Sequence, residues 1–313
     1  MKFKHANRRQ LLRAAAALAA TSAVPRAALP GWYTGGDASE DAPDLTASLR
    51  VMSYNIHHGE GLDETLDLDR ISSVIASQMP DMVSLQEVDN QTPRSLGVDQ
   101  LEAIAVASGM PHFLFGQAID YAGGEYGVAI LSRFPFKLWG NEPLPVSAES
   151  EPRTALWVEV VVPDIGALLF VATHLATNRD GRDRIGQAAR LVELFSNTLL
   201  TPAGTAMPQN IVLAGDFNAD TGSETLTMLG AGFSDAFVGG SVPTYPADTP
   251  ARTYDRVMVE KNSTALPMQS WVLDDAIASD HRPVIVDLEF PKLPWYEVFE
   301  GVDIETPESD PAY

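Results

Sequence analysis

The stretch IVLAGDFNAD at residues 211–220 combines an apolar run with a polar end. Its first four residues predict a short buried strand, and Asp216 and Asn218 follow at the point where that strand would end. A buried strand usually ends in simple turn residues, whereas a carboxylate and a carboxamide follow this one. Polar side chains at strand ends point into the crevice where loops meet, which is a common place for an active site in α/β proteins.

Four other apolar runs of the chain share this pattern. Each polar residue has an ordinary explanation by itself, as a turn former, a solvated strand end, a core imidazole, an Asx-turn or a helix cap. Together they place carboxylates, carboxamides and imidazoles at several strand ends, which favours a functional site. The residues are Asn55 after VMSY, Glu87 after MVSLQ, His174 after LLFVAT, and Asp280 and His281 shortly before VIVDLEF.

The hydrophobic periodicity predicts more strands than helices. A helix is expected over 68–78, with Asp67 as its N-cap, and a second amphipathic helix over 184–200. Several strands are joined by short turns such as PDIG at 163–166, which favours a mixed α/β sandwich over a purely parallel doubly wound sheet. The predicted strands are residues 49–55, 82–88, 128–131, 155–162, 167–173, 211–214, 254–259 and 284–290.

Composition limits the class of protein. The 313 residues are 45% hydrophobic and 20% charged, which is ordinary for a globular chain and excludes a largely disordered or fibrous one. Cysteine is absent, so disulfides, a thiolate nucleophile and thiolate metal sites are excluded. The formal charge of −21 disfavours broad nucleic-acid binding by a basic face but is compatible with a metal site made of oxygen ligands.

The two ends of the chain differ from the block at 49–290, which we expect to form one catalytic domain. Residues 1–28 carry six basic residues, no acidic residue and a mild apolar run, and they resemble a twin-arginine export signal; the alternative is an Ala-rich surface helix. Export would make the protein periplasmic or secreted. Residues 29–48 are predicted to be a flexible linker and residues 291–313 an acidic tail. No apolar run reaches the length of about 18 residues that predicts a transmembrane helix.

Seven short motifs in this order resemble the endonuclease/exonuclease/phosphatase family of metal-dependent phosphoesterases. The resemblance covers essentially all of residues 50–290 and implies a four-layered α/β sandwich, in which two mixed β-sheets pack face to face with helices outside. It also implies an active site between the sheets at one end. The motifs are YNIHHG (54–59), PDMVSLQEVD (80–89), YGVAILSRFP (126–135), ATHL (172–175), LAGDFNA (213–219), YDRVMV (254–259) and SDHRPVIV (279–286).

The resemblance implies metal ligands that all offer oxygen. Glu87 is the first candidate with Asn55 beside it, and Asp216 and Asp280 are further candidates. Oxygen ligands suit Mg²⁺ or Mn²⁺. His57 and His58 look like a metal pair, but a turn is the preferred interpretation of these two residues.

The catalytic roles also follow from the resemblance. His281 is the acid/base candidate, and Asp255 would orient it, although Arg256 stands where the family usually has an aromatic residue. Asn218 can donate its amide to a phosphoryl oxygen, and His174 would lie near the leaving group or a phosphoryl oxygen. Two mechanisms remain open. Either His281 takes the proton of water while His174 assists departure, or Asp216 activates water while protonated His281 stabilises the phosphoryl group.

The substrate is constrained mainly by charge. The block at 49–290 carries 32 acidic and 14 basic residues and no basic run of the kind that follows a nucleic-acid backbone. We therefore expect a small or lipid-derived phosphate ester as substrate, with a secreted nuclease acting on DNA or RNA as the alternative. A binding protein without activity is a third possibility, which the full set of site residues disfavours. Arg133 and Arg153 could hold a phosphate or pair with the many acidic residues.

Overall fold

The computed structural model describes residues 45–196 and 198–293. The predicted export signal, residues 29–44 of the predicted linker and residues 294–313 of the predicted tail lie outside the described residues. The described part forms twelve strands and four α-helices. None of these helices combines the length and the apolar character needed to span a bilayer.

Six strands form the first sheet, in the order β11-β12-β1-β2-β4-β3. The neighbours β1 and β2 run parallel, and the other pairs of this sheet are antiparallel. The strands are β1 (Thr46–Asn55), β2 (Met82–Asn90), β3 (His112–Tyr121), β4 (Gly124–Ser132), β11 (Leu266–Val272) and β12 (Val284–Pro291).

The other six strands form the second sheet, in the order β5-β6-β7-β8-β10-β9. Here β7 and β8 are the parallel pair, and the other pairs are antiparallel. The strands are β5 (Phe136–Pro143), β6 (Thr154–Val162), β7 (Gly166–His174), β8 (Asn210–Asp216), β9 (Phe233–Asp235) and β10 (Asp255–Glu260).

The helices cover the outer faces of the two sheets. They are α1 (Leu68–Gln78), α2 (Gln100–Ser108), α3 (Arg182–Phe195) and α4 (Glu224–Leu229). Alternate residues of each central strand enter different cores: Val51 lies between the sheets, whereas Met52 packs in the cluster that includes residues of α1 and α2. In β8, Val212 lies between the sheets and Leu213 packs in the cluster that includes residues of α3 and α4. The predicted four-layered α/β sandwich is confirmed.

The accuracy of the strand predictions depends on position in the sheet. All eight predicted strands exist, and all eight are interior strands, whose two buried faces require long apolar runs. The four strands that the sequence did not reveal, β3, β5, β9 and β11, are the four edge strands. The burial of β5 alternates between half-buried and exposed, and the first four residues of β11 are exposed, so neither strand carries a continuous apolar pattern.

The helix predictions are right at one helix and wrong at the end of another. The α1 helix has the predicted bounds, and the Asp67 carboxylate accepts a hydrogen bond from the Arg70 amide at 2.9 Å as its N-cap. The helix expected over 184–200 ends at Phe195 instead, because Ser196 is extended and its hydroxyl donates to Glu260. Leu199 and Leu200, which suggested a longer apolar face, are exposed. Residues 46–48 of the predicted linker belong to β1.

The two parallel pairs position the site. The carboxyl ends of β1 and β2 lie side by side, with Asn55 opposite Gln86, and those of β7 and β8 do the same, with His174 opposite Asp216. A close approach of β7 and β8 depends on Gly215, where an added Cβ would lie 2.1 Å from the Thr173 carbonyl oxygen. The ends of these four strands therefore meet at one edge of the sandwich.

Candidate active site

Asp216 lies at the centre of the strand ends, and it is almost completely buried. Its Oδ1 accepts a hydrogen bond from the backbone N–H of Asn218 at 2.8 Å, and its Oδ2 accepts one from Asn55 Nδ2 at 3.1 Å. The Nε2 atoms of His174 and His281 lie 3.4 Å and 3.7 Å from the same Oδ2. Burial and the nearby Asp255 carboxylate raise the pKa of Asp216. Asp216 thus connects the two histidines with the two predicted amide residues.

A hydrogen-bonded chain links the second sheet to His281. Asp255 lies opposite Asp216 in the pairing of β10 with β8, and its Oδ2 accepts from His281 Nδ1 at 2.8 Å. The same oxygen accepts from the hydroxyl of Thr244 at 2.5 Å. Burial alone would lower the pKa of His281, but the Asp255 and Asp216 carboxylates raise it to about 10. Asp255 is placed where it can orient His281, and its role in catalysis stays a prediction.

The departure from the family pattern at Arg256 does not disturb this chain. Successive residues of a strand point to opposite faces, so Asp255 shares the inner face with Val257, and Arg256 shares the outer face with Met258. The Arg256 guanidinium forms an ion pair with Asp235 there.

The Nδ1 atom of His174 has an arginine as its partner, whereas the Nδ1 atom of His281 has a carboxylate. Arg153 Nη1 lies 3.0 Å from His174 Nδ1, and because a guanidinium only donates hydrogen bonds, Nδ1 must accept. The single proton of the neutral ring is then on Nε2, which faces Asp216 Oδ2 at 3.4 Å. Asn218 Nδ2 lies 3.0 Å from Nε2, but an amide nitrogen only donates, and its acceptor is the Leu175 carbonyl at 3.1 Å. Burial, Arg153 and His281 together hold the pKa of His174 well below its usual value. His174 is therefore suited to donate a hydrogen bond from Nε2 as a neutral imidazole.

Glu87 and Asn55 join the cluster from the first sheet. The pairing of β2 with β4 is irregular between Leu85 and Val88, and Glu87 has a φ of 59°, a left-handed conformation that is uncommon outside glycine. Asn55 Nδ2 donates to Glu87 Oε1 at 3.1 Å as well as to Asp216. Its Oδ1 accepts from the His57 amide, so the amide nitrogen of Asn55, rather than the oxygen, faces the two carboxylates.

The other sequence candidates lie nearby with different surroundings. Asp280 is half-buried, and its only described side-chain hydrogen bond comes from the Ser279 hydroxyl at 3.4 Å. His57 and His58 form a short 3-10 turn in which both residues have positive φ, as the turn interpretation expected. The assignments of Glu87, Asn55, Asp216 and Asp280 as metal ligands stay predictions.

The donor set fits a divalent cation. One carboxylate oxygen from each of Asp216 and Asp255 and one ring nitrogen of His281 lie within 4.8 Å of one another. Asp255 Oδ1 is buried and has no hydrogen-bond partner among the described residues, which is costly for a carboxylate oxygen. Excess negative charge in a buried cluster of hard oxygen atoms is the environment that a divalent cation neutralises.

The sequence did not reveal two residues of this site. Thr244 lies in a loop with no periodic pattern, so nothing in the sequence connects it to Asp255. Arg153 was noted, but its contact with His174 was not predicted. The strands β6 and β7 pair antiparallel with Ala155 opposite Thr173, and continuing this register places Arg153 beside the end of β7, close to His174. A hairpin predicted from the sequence with this register could therefore have indicated the contact.

The fold and this edge define a class of protein: two facing mixed sheets with carboxylates, amides and two histidines at one end form the framework of metal-dependent phosphoesterases. A model of the Endonuclease/Exonuclease/phosphatase family matches residues 52–281, and the chain belongs to this family. The family acts on phosphate esters with the help of divalent metal ions, so the protein is a phosphoric ester hydrolase.

Individual relatives are more distant. The chain is 27% identical to the uncharacterized protein YbhP of Escherichia coli strain K12 over 272 residues, which are 79% of this chain and 99% of that one. A family protein from Beutenbergia cavernae matches with a TM-score of 0.66 at 27% identity, covering 78% of this chain and 72% of its own. The mannosyl-6-phosphatase Bt3783 of Bacteroides thetaiotaomicron shares the fold, with a TM-score of 0.60 at 20% identity and coverage of 77% and 99%.

Proposed function

We propose that this protein is an exported, Mg²⁺-dependent phosphoesterase that hydrolyses a small or lipid-derived phosphate ester. The observation that carries the proposal is the convergence of Asp216, Asp255, His281 and His174 at one buried edge. Phosphate esters resist attack because they are anionic, and their hydrolysis requires positive charge on the phosphoryl oxygens, a deprotonated water and a stabilised leaving group. The site offers a residue for each requirement.

A divalent cation would be held by Glu87 and Asp216, with Asn55 and Asp280 as further ligands. When bound, it supplies positive charge to the phosphoryl oxygens and lowers the pKa of water. The candidate ligands offer oxygen atoms, which favours Mg²⁺ or Mn²⁺ over softer metals. Asn55 would have to turn its amide to present Oδ1, because Nδ2 faces Glu87 and Asp216.

His281 acts in this proposal as a proton-bearing group. Its Nδ1 donates to Asp255, which stabilises the imidazolium, and its Nε2 points toward Asp216. A protonated His281 stabilises the developing charge on the phosphoryl group, and Asp216 takes the proton of the attacking water. The raised pKa of His281, which keeps its ring protonated, favours the second of the two mechanisms that the sequence left open. His174 then donates a hydrogen bond from Nε2 instead of acting as a general acid.

Charge supports a substrate that is not a polymer of phosphates. The formal charge of −21 repels polyanions at long range, although a metal and a few local basic residues can overcome this for a nuclease. The name of Bt3783 shows that this fold can act on a sugar phosphate, which supports a small ester here. The alternative is a secreted nuclease, and it predicts nicking of plasmid DNA with a steep loss of rate in salt.

The test is hydrolysis of bis(p-nitrophenyl) phosphate and p-nitrophenyl phosphate by the purified full chain. Turnover should require Mg²⁺ or Mn²⁺, stop with EDTA and be lost in His281→Ala while circular dichroism stays unchanged. The matched control is His112→Ala, because His112 pairs with Ser132 at the opposite end of the sheet. Turnover that survives His281→Ala would contradict the proposed site.

Export is tested separately from activity. Residues 1–44 fused to a reporter should carry it out of the bacterial cytoplasm, and replacing both Arg8 and Arg9 by Lys should retain it. A reporter that stays in the cytoplasm with the native segment would contradict export without bearing on the phosphoesterase activity.

A further inference from the structure

A small polar cavity lies beside the catalytic edge and shares a wall with it. It has a volume of about 230 Å³. The wall is Arg153, which contacts His174 through Nη1 and an exposed Glu151 carboxylate through Nη2 at 2.9 Å. The opposite side of the cavity is formed by the segment that follows His174 in the chain. This segment contributes Ala176, Thr177 and Asn178. The polar lining residues are Glu149, Ser150, Glu151, Arg153, Thr177 and Asn178.

Hydrogen bonds to helix α3 hold both rims of the cavity, which are residues 147–153 and residues 176–178. Asp183 accepts hydrogen bonds from the amide and hydroxyl of Ser147 at 3.2 Å and 2.8 Å, which anchors the rim that carries Glu149. Gln187, fully buried, donates to the Pro145 carbonyl and accepts from the Ala176 amide, so it connects the two rims. Arg184 donates to the carbonyls of Ala176 and Asn178. The cavity is therefore held in shape without a ligand, which lowers the cost of binding one.

Two lining side chains have polar atoms that nothing in the described part of the chain satisfies. Arg153 is 6% exposed, and its Nε has no hydrogen-bond partner. Asn178 Oδ1 is buried and also lacks a partner. Buried polar atoms normally have partners, so unsatisfied ones in the wall of a cavity point to a ligand or to ordered water.

The mixture of donors and acceptors determines which ligand fits. Arg153 supplies donors, Glu149 and Glu151 supply acceptors, and Ser150, Thr177 and Asn178 supply both. A hydroxyl group also donates and accepts, so neighbouring hydroxyls match such a wall. The Arg153 guanidinium would repel a cationic amino alcohol, and the two glutamates would repel a second phosphate group. The volume is below the range of roughly 300–1,000 Å³ typical of sites for larger ligands, so the cavity matches one small ring better than a larger group such as a nucleoside.

We propose that this cavity binds the alcohol portion of the substrate, and that this portion is a neutral ring with several hydroxyl groups, such as a sugar or an inositol. The inference rests on the proposed phosphoesterase function and deepens it. The phosphate would lie at the edge formed by Asp216 and His281, and the ring would extend past His174 and Arg153 toward Asn178. The acidic rim then excludes substrates with a second phosphate next to the first.

The experiment uses the full chain with Mg²⁺ and four phosphate monoesters: mannose 6-phosphate, myo-inositol 1-phosphate, phosphocholine and p-nitrophenyl phosphate. The sugar and inositol arms distinguish the two sources of a hydroxylated ring, and phosphocholine represents the cationic class. We expect at least one of the two ring esters to exceed phosphocholine in kcat/KM by more than about tenfold, which corresponds to one or two hydrogen bonds.

Variants locate the effect in the cavity. Asn178→Ala and Glu149→Gln should each lower the ratio of kcat/KM for the preferred ring ester to that for p-nitrophenyl phosphate by about tenfold, mainly through KM. Glu193→Gln is the matched control, because Glu193 lies on the exposed side of α3 in an ion pair with Arg190, and it should leave this ratio unchanged.

The outcomes separate this inference from the proposed function. Hydrolysis of p-nitrophenyl phosphate, with neither ring ester exceeding phosphocholine in kcat/KM by about tenfold, would overturn the inference and leave the phosphoesterase standing. If the chain hydrolyses neither these four esters nor bis(p-nitrophenyl) phosphate, the proposed function fails. In that case, and also if only the diester is hydrolysed, calorimetric titration of the full chain with free mannose and free myo-inositol decides the cavity separately. Absence of binding, or binding that Asn178→Ala does not weaken, would overturn the inference in that case.

Discussion

The two ends of the first sheet carry charged residues in different arrangements. At one end, Asn55 and Glu87 meet Asp216 and the two histidines in a buried cluster. At the other end, Arg50 forms two hydrogen bonds with the Asp287 carboxylate at 2.7 Å and 2.9 Å, beside a cavity of about 490 Å³. Arg50 precedes Asn55 by five residues in β1, so the two ends are about 17 Å apart along the strand.

Charge balance, and not cavity size, distinguishes the functional end. Around Arg50 each cation has a carboxylate partner, because Arg133 also lies 3.9 Å from Asp81, and these side chains are partly exposed. Around Asp216 two carboxylates, those of Asp216 and Asp255, are buried together, and the pKa values of Asp216 and His281 are both raised. The larger cavity lies at the balanced end. An unbalanced buried cluster costs stability, so its presence indicates a function more strongly than an open space does.

The largest expected effect compares Asp216→Asn with Asp287→Asn, one carboxylate from each end. Asp216→Asn removes a metal-ligand candidate and the proposed base, and should reduce kcat/KM for bis(p-nitrophenyl) phosphate by about 10³-fold or more. Asp287→Asn should leave kcat/KM within about twofold, because Asp287 is far from the reacting atoms. Steady-state kinetics with Mg²⁺ checks both. Equal losses in the two variants would mean that the comparison between the ends is mistaken.

His281 makes the stability of the catalytic end dependent on pH. Its folded-state pKa of about 10 exceeds the usual value of 6.5, so its stabilisation is complete below the lower value and is lost as pH rises to the higher one. The difference in Tm between the unaltered chain and His281→Asn, measured in EDTA, should therefore shrink from about pH 6 to about pH 10. In an Asp255→Asn background the same difference should depend less on pH. A constant difference across this range would contradict the Asp255–His281 pair.

Thr244 provides a smaller effect within the catalytic end. Its buried hydroxyl donates to the Asp255 oxygen that also accepts from His281, so Thr244 is a positioning residue. Thr244→Val should lower kcat by about tenfold with little change in KM, and Thr244→Ser should recover most of the loss. The control is Thr249→Val in the same loop, where the hydroxyl bonds, among the described residues, only to the Asp248 carboxylate. An increase in KM with kcat unchanged would assign Thr244 to substrate binding instead.

The sequence predicted the centre of the molecule better than its margins. The eight interior strands were predictable because both of their faces are buried, whereas β11 has an exposed half and no apolar run. Polar residues beside apolar runs indicated Asp216 and His281 as candidates, and the structure brings these two side chains together. Thr244 interrupts no pattern, and its contact with Asp255 depends on how a loop folds back. Contacts made by loops depend on tertiary structure, which a single sequence does not encode in any local period.

The smallest expected effect concerns the balanced end alone. Arg50→Met removes an ion pair whose side chains are 30% and 22% exposed, and such pairs contribute up to about 1 kcal/mol. The aliphatic part of the side chain is retained, and Tm should fall by about 2–4 °C for a domain of this size. Catalytic activity should not change, since Arg50 has no contact with the Asp216 cluster in the part of the chain that the structure describes. Thermal unfolding with and without about 1 M salt checks the cause, because salt screens the pair and should reduce the difference between the two proteins. A change in kcat/KM in this variant would show that the two ends are coupled through β1. The two ends could then not be treated as independent, and the coupling would require a structural connection other than the ion pair at Arg50.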